Sequence, residues 1–274
     1  MKIFTWVAMI LAALGTSAGA ASYNDLNIAI SYLNDGVRDS AISWFDRAIA
    51  AGDLNPDLTR VAHFDRGRAL LSRGDSAKAI ADFTAALAIS PGDVRILEDR
   101  AHAYMNAGQL ENAAGDFKAV RLRNPNDKPL AFQSGLVNWQ IGRYEDAAAD
   151  FARPGSSDLI AWLWQQLANV RQGKPVSSFF MASFDQKMWP NPMVALFLGQ
   201  TDEEAVLRIA QDSKAADAQT CDAEFFIGEW RVAHGDREGA RALLKKMTDD
   251  CRNDATQFHV AQLDLAKLSK KAGK

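Results

Sequence analysis

The chain is poor in the residues that most protein chemistry draws on. It has two cysteines and four histidines in 274 residues. Two cysteines are too few for a disulfide-framed miniprotein or a four-cysteine zinc site, and no CxxC redox motif is present. The histidines, His63, His102, His234 and His259, never fall three or four residues apart, so no HExxH or comparable metal-ligand spacing exists. Also missing are a GxSxG elbow, a phosphate-cradling glycine loop and an S-x-x-K pair. With 31 Lys and Arg against 34 Asp and Glu, the net charge is −3, so no basic field is available to hold nucleic acid or anionic lipid. These absences point away from an enzyme and toward no cofactor and no metal. A hydrophobic content of 48% with 24% charge excludes wholesale disorder.

The only long apolar run is at the start. Lys2 precedes the uncharged stretch Ile3–Leu14, and Ala18-Gly19-Ala20 offers small residues at a cleavage site. Spanning a bilayer takes about 20 residues, more than this run supplies. Residues 1–20 therefore read as a cleaved secretory signal peptide with no membrane span. No cysteine follows for lipid attachment, and the expected destination is a bacterial periplasm, in soluble form.

What the rest of the chain has in quantity is a period. Gly74, Gly108 and Gly142 are 34 residues apart, as are Ala79, Ala113 and Ala147, and Phe83, Phe117 and Phe151; Pro91 and Pro125 keep the same interval. This is the period of the tetratricopeptide repeat (TPR), a pair of antiparallel helices that cannot bury its apolar face without a neighbouring pair. Small residues fit where the helices cross, with Gly67, Ala101 and Gly135 on the first helices and the phased alanines on the second. The phased glycines suit the turn between helices, where positive φ is needed. Asp93 and Asp127 are placed to cap first helices.

The phase runs back to a first unit with Ala29, Tyr32, Gly36, Ala41, Phe45 and Ala48, closed late by Pro56. It recurs in a last unit with Gly228, Gly235, Ala240 and Leu244, followed by a lone helix over Ala255–Ser269. The expected fold is all-α, a right-handed TPR solenoid. Residues 21–153 hold about four units, 154–220 form a degenerate helical and irregular middle section, and 221–274 form the last unit with a capping helix. Within the middle, a helix is expected over Asp158–Gln172 and an irregular aromatic stretch over Lys174–Pro192. Thr201-Asp202-Glu203-Glu204 should open a helix through a capping box running to about Gln211. Trp162 and Trp164 point about 200° apart on a helix, which favours one buried on two sides over one offering an indole to a partner.

Cys221 and Cys251 stand at the start of the first helix and the end of the second in the last unit, points that meet in an antiparallel hairpin. A disulfide there would contribute about 3–4 kcal/mol on the chain-entropy view. The inner faces of first helices line the hollow side of such a solenoid. Phe64, Arg68, Leu71, Glu98, His102, Met105, Phe132, Leu136 and Trp139 are the expected partner-binding residues, forming a mostly apolar strip that suits an extended or helical protein segment. Ser177–Pro192 is a second candidate for partner contact, including pairing into a homodimer.

Beyond the repeats, three features recur together: Trp189-Pro190-x-Pro192-x-Val194 leading into Phe197-Leu198-Gly199, then Thr201-x-Glu203-Glu204, then Phe225-Phe226-x-Gly228 with Gly235-Asp236 and Ala240. With an exported leader and N-terminal repeats, this arrangement resembles the NlpI-type periplasmic TPR adaptors over about Tyr23–Leu268. The resemblance implies a non-catalytic scaffold that holds envelope proteins, either a tail-specific protease or peptidoglycan hydrolases. It supplies no catalytic residue, and the missing lipidation cysteine departs from a membrane-tethered pattern. The alternatives are an assembly scaffold or chaperone of an outer-membrane or secretion complex and, from another class, an enzyme whose site these motifs do not reveal.

Overall fold

The computed structural model describes residues 20–152, 158–177, 185, 187–251 and 256–269. The leader up to residue 19, Pro154-Gly155 and half of the Ser177–Pro192 stretch (178–184 and 186) lie outside the described residues. The described residues form fourteen α-helices and no strand. They are α1 (20–34), α2 (Arg38–Ala51), α3 (Pro56–Ser72), α4 (Ser76–Ile89), α5 (Val94–Asn106), α6 (Leu110–Arg123), α7 (Lys128–Gln140), α8 (Tyr144–Phe151), α9 (Leu159–Val170), α10 (Asn191–Phe197), α11 (Glu203–Gln211), α12 (Ala216–Ala233), α13 (Arg237–Asp250) and α14 (Thr256–Ser269). The architecture is a helical-repeat solenoid, divided into two compact units between Asp127 and Lys128. Among the described residues no helix is long and apolar enough to cross a membrane.

The first unit is three helix pairs, α1–α2, α3–α4 and α5–α6. Gly74 and Gly108 make their turns with φ of +88° and +70°, where an L side chain would be strained. The phased residues are the core: Ala79, Phe83, Ala113 and Phe117 have no exposed surface. Each such phenylalanine stabilises the fold by about 1.5–3 kcal/mol through burial. A Cβ built on Gly67 would come within 2.7 Å of the Phe83 ring. The first helix of the pair lacks a side chain there because the second helix fills that space. Gly135 repeats the arrangement in the second unit, where its Cβ would lie 2.6 Å from the Phe151 ring.

Helix starts follow local chemistry. Asn55, Asp75 and Asp93 accept from Leu58 N, Lys78 N and Arg95 N. Pro56 differs from expectation: it opens α3 at the first helical position instead of closing the preceding pair, since its missing N–H costs nothing there. Asp202, rather than Thr201, caps α11 by accepting from Ala205 N, so the Thr201–Glu204 box is not formed, and Glu203 at the first helical position reaches Arg231.

A second ladder shares the 34-residue phase. Asp82, Asp116 and Asp150 sit on the second helices, 4%, 7% and 2% exposed. Each meets the residue sixteen positions earlier on its own first helix. Arg66 grips Asp82 through Nε and Nη2 at 2.8 and 2.7 Å, with His63 Nδ1 at 2.8 Å. Arg100 grips Asp116 likewise at 2.7 and 2.8 Å. In the second unit Ser134 Oγ and Asn138 Nδ2 donate to Asp150 Oδ2 at 2.5 and 2.8 Å. Paired, forked contacts of this kind offset the cost of burying the carboxylate.

The second unit is larger and more aromatic. Trp164 of α9, with no exposed surface, lies 5.0 Å from Phe225, 5.3 Å from Trp139 and 5.6 Å from Phe151 between ring centroids. Trp162, on the other side of α9, is half-buried against the same core. The described helices of the middle section pack into this core, with α9 laid on α8 and α12.

Two glycines separate crossing from propensity. Gly135→Ala is expected to lower stability by about 1–2 kcal/mol, because overpacking outweighs the better helix former. Gly115→Ala, on exposed α6 with nothing within 4 Å of its Cβ, should instead raise it by about 0.5–1 kcal/mol. Urea midpoints of the two variants check the opposite signs.

Candidate functional site

The expected binding residues of the first unit lie on α3 and α5. Phe64 is 8% exposed, its ring 6.0 Å from Phe83, and it is roofed by two guanidinium groups. The Arg68 carbon stands 5.7 Å and the Arg95 carbon 5.8 Å from the ring centroid, within cation–π range. Both arginines project outward, their side chains 56% and 73% exposed. Arg68 Nε is 3.6 Å from Asp99, while Arg60 and Arg95 are each 3.7 Å from Asp93. His102 is set edge-on against Phe117 at 5.5 Å. Leu71, Glu98, His102 and Met105 are half-buried. The surface is therefore an arginine-capped aromatic face with interleaved carboxylates, more polar than the apolar strip expected from the sequence. The large ring on a first helix turns into the pair, and charged stems cover it.

Burial pushes the Asp65 and Asp99 carboxyls above their ordinary value. Nearby arginines oppose the shift without cancelling it, Arg68 foremost at both. Asp82 goes the other way: burial works against its charge, but the Arg66 and His63 contacts outweigh that and hold it low.

In the second unit, α7 brings Phe132 and Leu136 together with Pro129 and Ile160 along a trough of about 600 Å³. Lys128 and Asp158 mark its polar margin. Phe132 rests on Phe151 and Trp164, at 5.4 and 6.4 Å, and leaves part of its ring uncovered. Trp139 is 1% exposed and faces inward. It packs on Trp164 and Tyr144, with the Arg171 guanidinium 5.5 Å from its ring.

Cys221 and Cys251 are joined, with Sγ atoms 2.01 Å and Cα atoms 5.9 Å apart, tying the first turns of α12 to the end of α13. Beside them Asp222 accepts from Trp189 Nε1 and Gln257 Nε2, both at 3.2 Å, so the bond stands where α12, α14 and the approach to α10 meet. Among the described residues no group of three His, Cys, Asp or Glu is placed to hold a metal ion.

Residues 26–94 and 70–136 each match a profile of the tetratricopeptide repeat. The chain carries tetratricopeptide repeats. Solved structures agree at the level of fold. A TPR protein from Parabacteroides merdae superposes with a TM-score of 0.56 at 19% identity, covering 91% of this chain and 99% of that one. The C-terminal part of a TPR repeat-containing protein from Cytophaga hutchinsonii gives 0.51 at 14% identity, covering 92% of each. No curated protein matches the sequence. These matches identify the TPR fold and no subfamily within it, and TPR proteins as a class bind protein partners and are generally non-catalytic.

The two kinds of carboxylate should separate on neutralisation. Asp82→Asn discards a charge that the native state favours and should lower the urea midpoint at pH 7. Asp99→Asn removes a charge that the native state disfavours and should leave the midpoint level or raised. A lowered carboxyl stabilises above its unfolded value and a raised one costs stability there. Both differences should therefore shrink when the measurement is repeated at about pH 3.

Proposed function

We propose that the protein is a non-catalytic periplasmic adaptor or scaffold, holding envelope protein partners on the exposed faces of its first helices. The observation that carries this reading is the α7 trough: Phe132 of α7 and Ile160 of α9 leave apolar surface partly open above the buried Leu136, on the face of a helix of the type that TPR arrays use for capture. The arginine-capped face of α3 and α5 adds a second place of attachment, suited to a segment that presents carboxylates alongside an apolar side chain. Mechanism needs no bond chemistry. Two clients held on one array meet at a raised effective concentration, which favours their reaction with each other.

The leader read in residues 1–20 supports export, and the NlpI-type arrangement of the second half supports a tail-specific protease or peptidoglycan hydrolases as clients. Chemical crosslinking in the native envelope, followed by identification of attached proteins, tests the class. A protease or hydrolase upholds the adaptor reading; pore or secretion subunits replace it with an assembly scaffold. For the client so found, Phe132→Ala combined with Arg68→Glu should weaken binding at least tenfold, about 1.4 kcal/mol, with helix content unchanged by circular dichroism. Unaltered affinity would place binding elsewhere on the chain.

A further inference from the structure

Glu229, in the middle of α12, has no exposed surface. Its Oε2 accepts from Nη2 of Arg171, the C-cap residue of α9. Its Oε1 is equally buried and has no protein donor. The carboxyl of Asp264 on α14, itself 3% exposed, is drawn to the same Arg171 Nη2, at 3.4 Å. Two buried acids this close repel when both are charged, and an oxygen without a donor in a dry site carries the full cost of lost hydration.

The surrounding charges do not remove the conflict. Arg171 Nη2 is shared, reaching Asp264 Oδ2 at 3.4 Å as well as Glu229. Lys267 Nζ donates to Asp264 Oδ1 at 2.8 Å, but from a side chain 51% exposed. From α8, Tyr144 lies beneath the Arg171 guanidinium at 5.8 Å. Arg241 of α13 is committed to the Leu268 carbonyl at 2.7 Å, and Glu203 of α11 to Arg231. Burial therefore pushes Glu229 up to about 8, helped by the Asp264 charge and only partly opposed by Arg171. A proton on Glu229 supplies what the geometry lacks: an O–H that can donate to Asp264, so that the two buried carboxyls do not face each other as two charges.

We propose that α14 is held by this proton, with Glu229 donating it to Asp264 and so latching the C-terminal helix onto α9 and α12, and that the last layer loosens as the medium turns alkaline. When α14 lifts away, Glu229 meets water and returns toward its ordinary value of 4.5, so opening releases a proton. The closed state is thus favoured most on the acid side. Its advantage falls about tenfold for each pH unit between roughly 4.5 and 8 and is level above that.

Amide hydrogen exchange of α14 in the full, disulfide-bonded chain reads this directly, after correction for the intrinsic pH dependence of exchange. The opening constant of wild type should rise about 50-fold from pH 6 to pH 8. Glu229→Gln, which keeps a donor on that carbon at every pH, should show no such slope. A wild-type opening constant independent of pH, or an equal slope in the variant, overturns the proposal. Should Glu229→Gln fail to fold, the carboxyl ¹³C shift of Glu229 in wild type decides. A midpoint several units above 4.5 upholds the latch, and one near 4.5 refutes it.

Discussion

Everything in this fold turns on how closely two helices of a pair can approach. At Gly67 and Gly135 there is no room for a single methyl group, because the ring of Phe83 or Phe151 occupies it. Gly228 repeats the constraint with Leu244 as the intruder, 2.7 Å from a would-be Cβ. That approach sets the spacing between helices, and the spacing decides which side chains reach the next pair. The turn, the proline after the second helix and the alanines at the crossing are all consequences of keeping it.

Because those constraints are steric and local, they are written plainly in the sequence. Glycine, alanine and phenylalanine in phase identify the pairs before any coordinates are known, and the same reasoning places the Cys221–Cys251 bond. The aspartate ladder was equally in phase yet invisible as such, since an acidic residue on a helix ordinarily reads as a solvated face. Asp82 and Asp116 stand sixteen residues after Arg66 and Arg100, so the arginine–aspartate interval was the available signal. For the binding face, periodicity gives the side of the helix but not the depth. Phe132 remains partly open, whereas Phe64 and Trp139 sink inward beneath Arg68, Arg95 and Arg171. The Arg171–Glu229–Asp264 cluster was out of reach altogether. Its members are 58 and 93 residues from Arg171, on helices outside the regular phase, and no local pattern relates them.

The two units spend charge differently. In the first, the deep carboxylates are gripped on both oxygens and stabilise the stack, while the shallower Asp65 and Asp99 are left between arginines at a cost to stability. Such an arrangement is typical of surfaces kept for contact rather than for folding. In the second, the fully buried Glu229 of α12 shares one guanidinium with Asp264 of α14.

The aspartate ladder has one more implication. The Arg66–Asp82 and Arg100–Asp116 rungs each close within one hairpin, so these helix pairs carry both halves of their lock. Copying or excising one such pair would orphan no buried charge and would return every glycine and phenylalanine to its partner. The array is thus built from parts that can be counted up or down by gene duplication or by design, with length, and hence reach, free to vary while the joints stay the same.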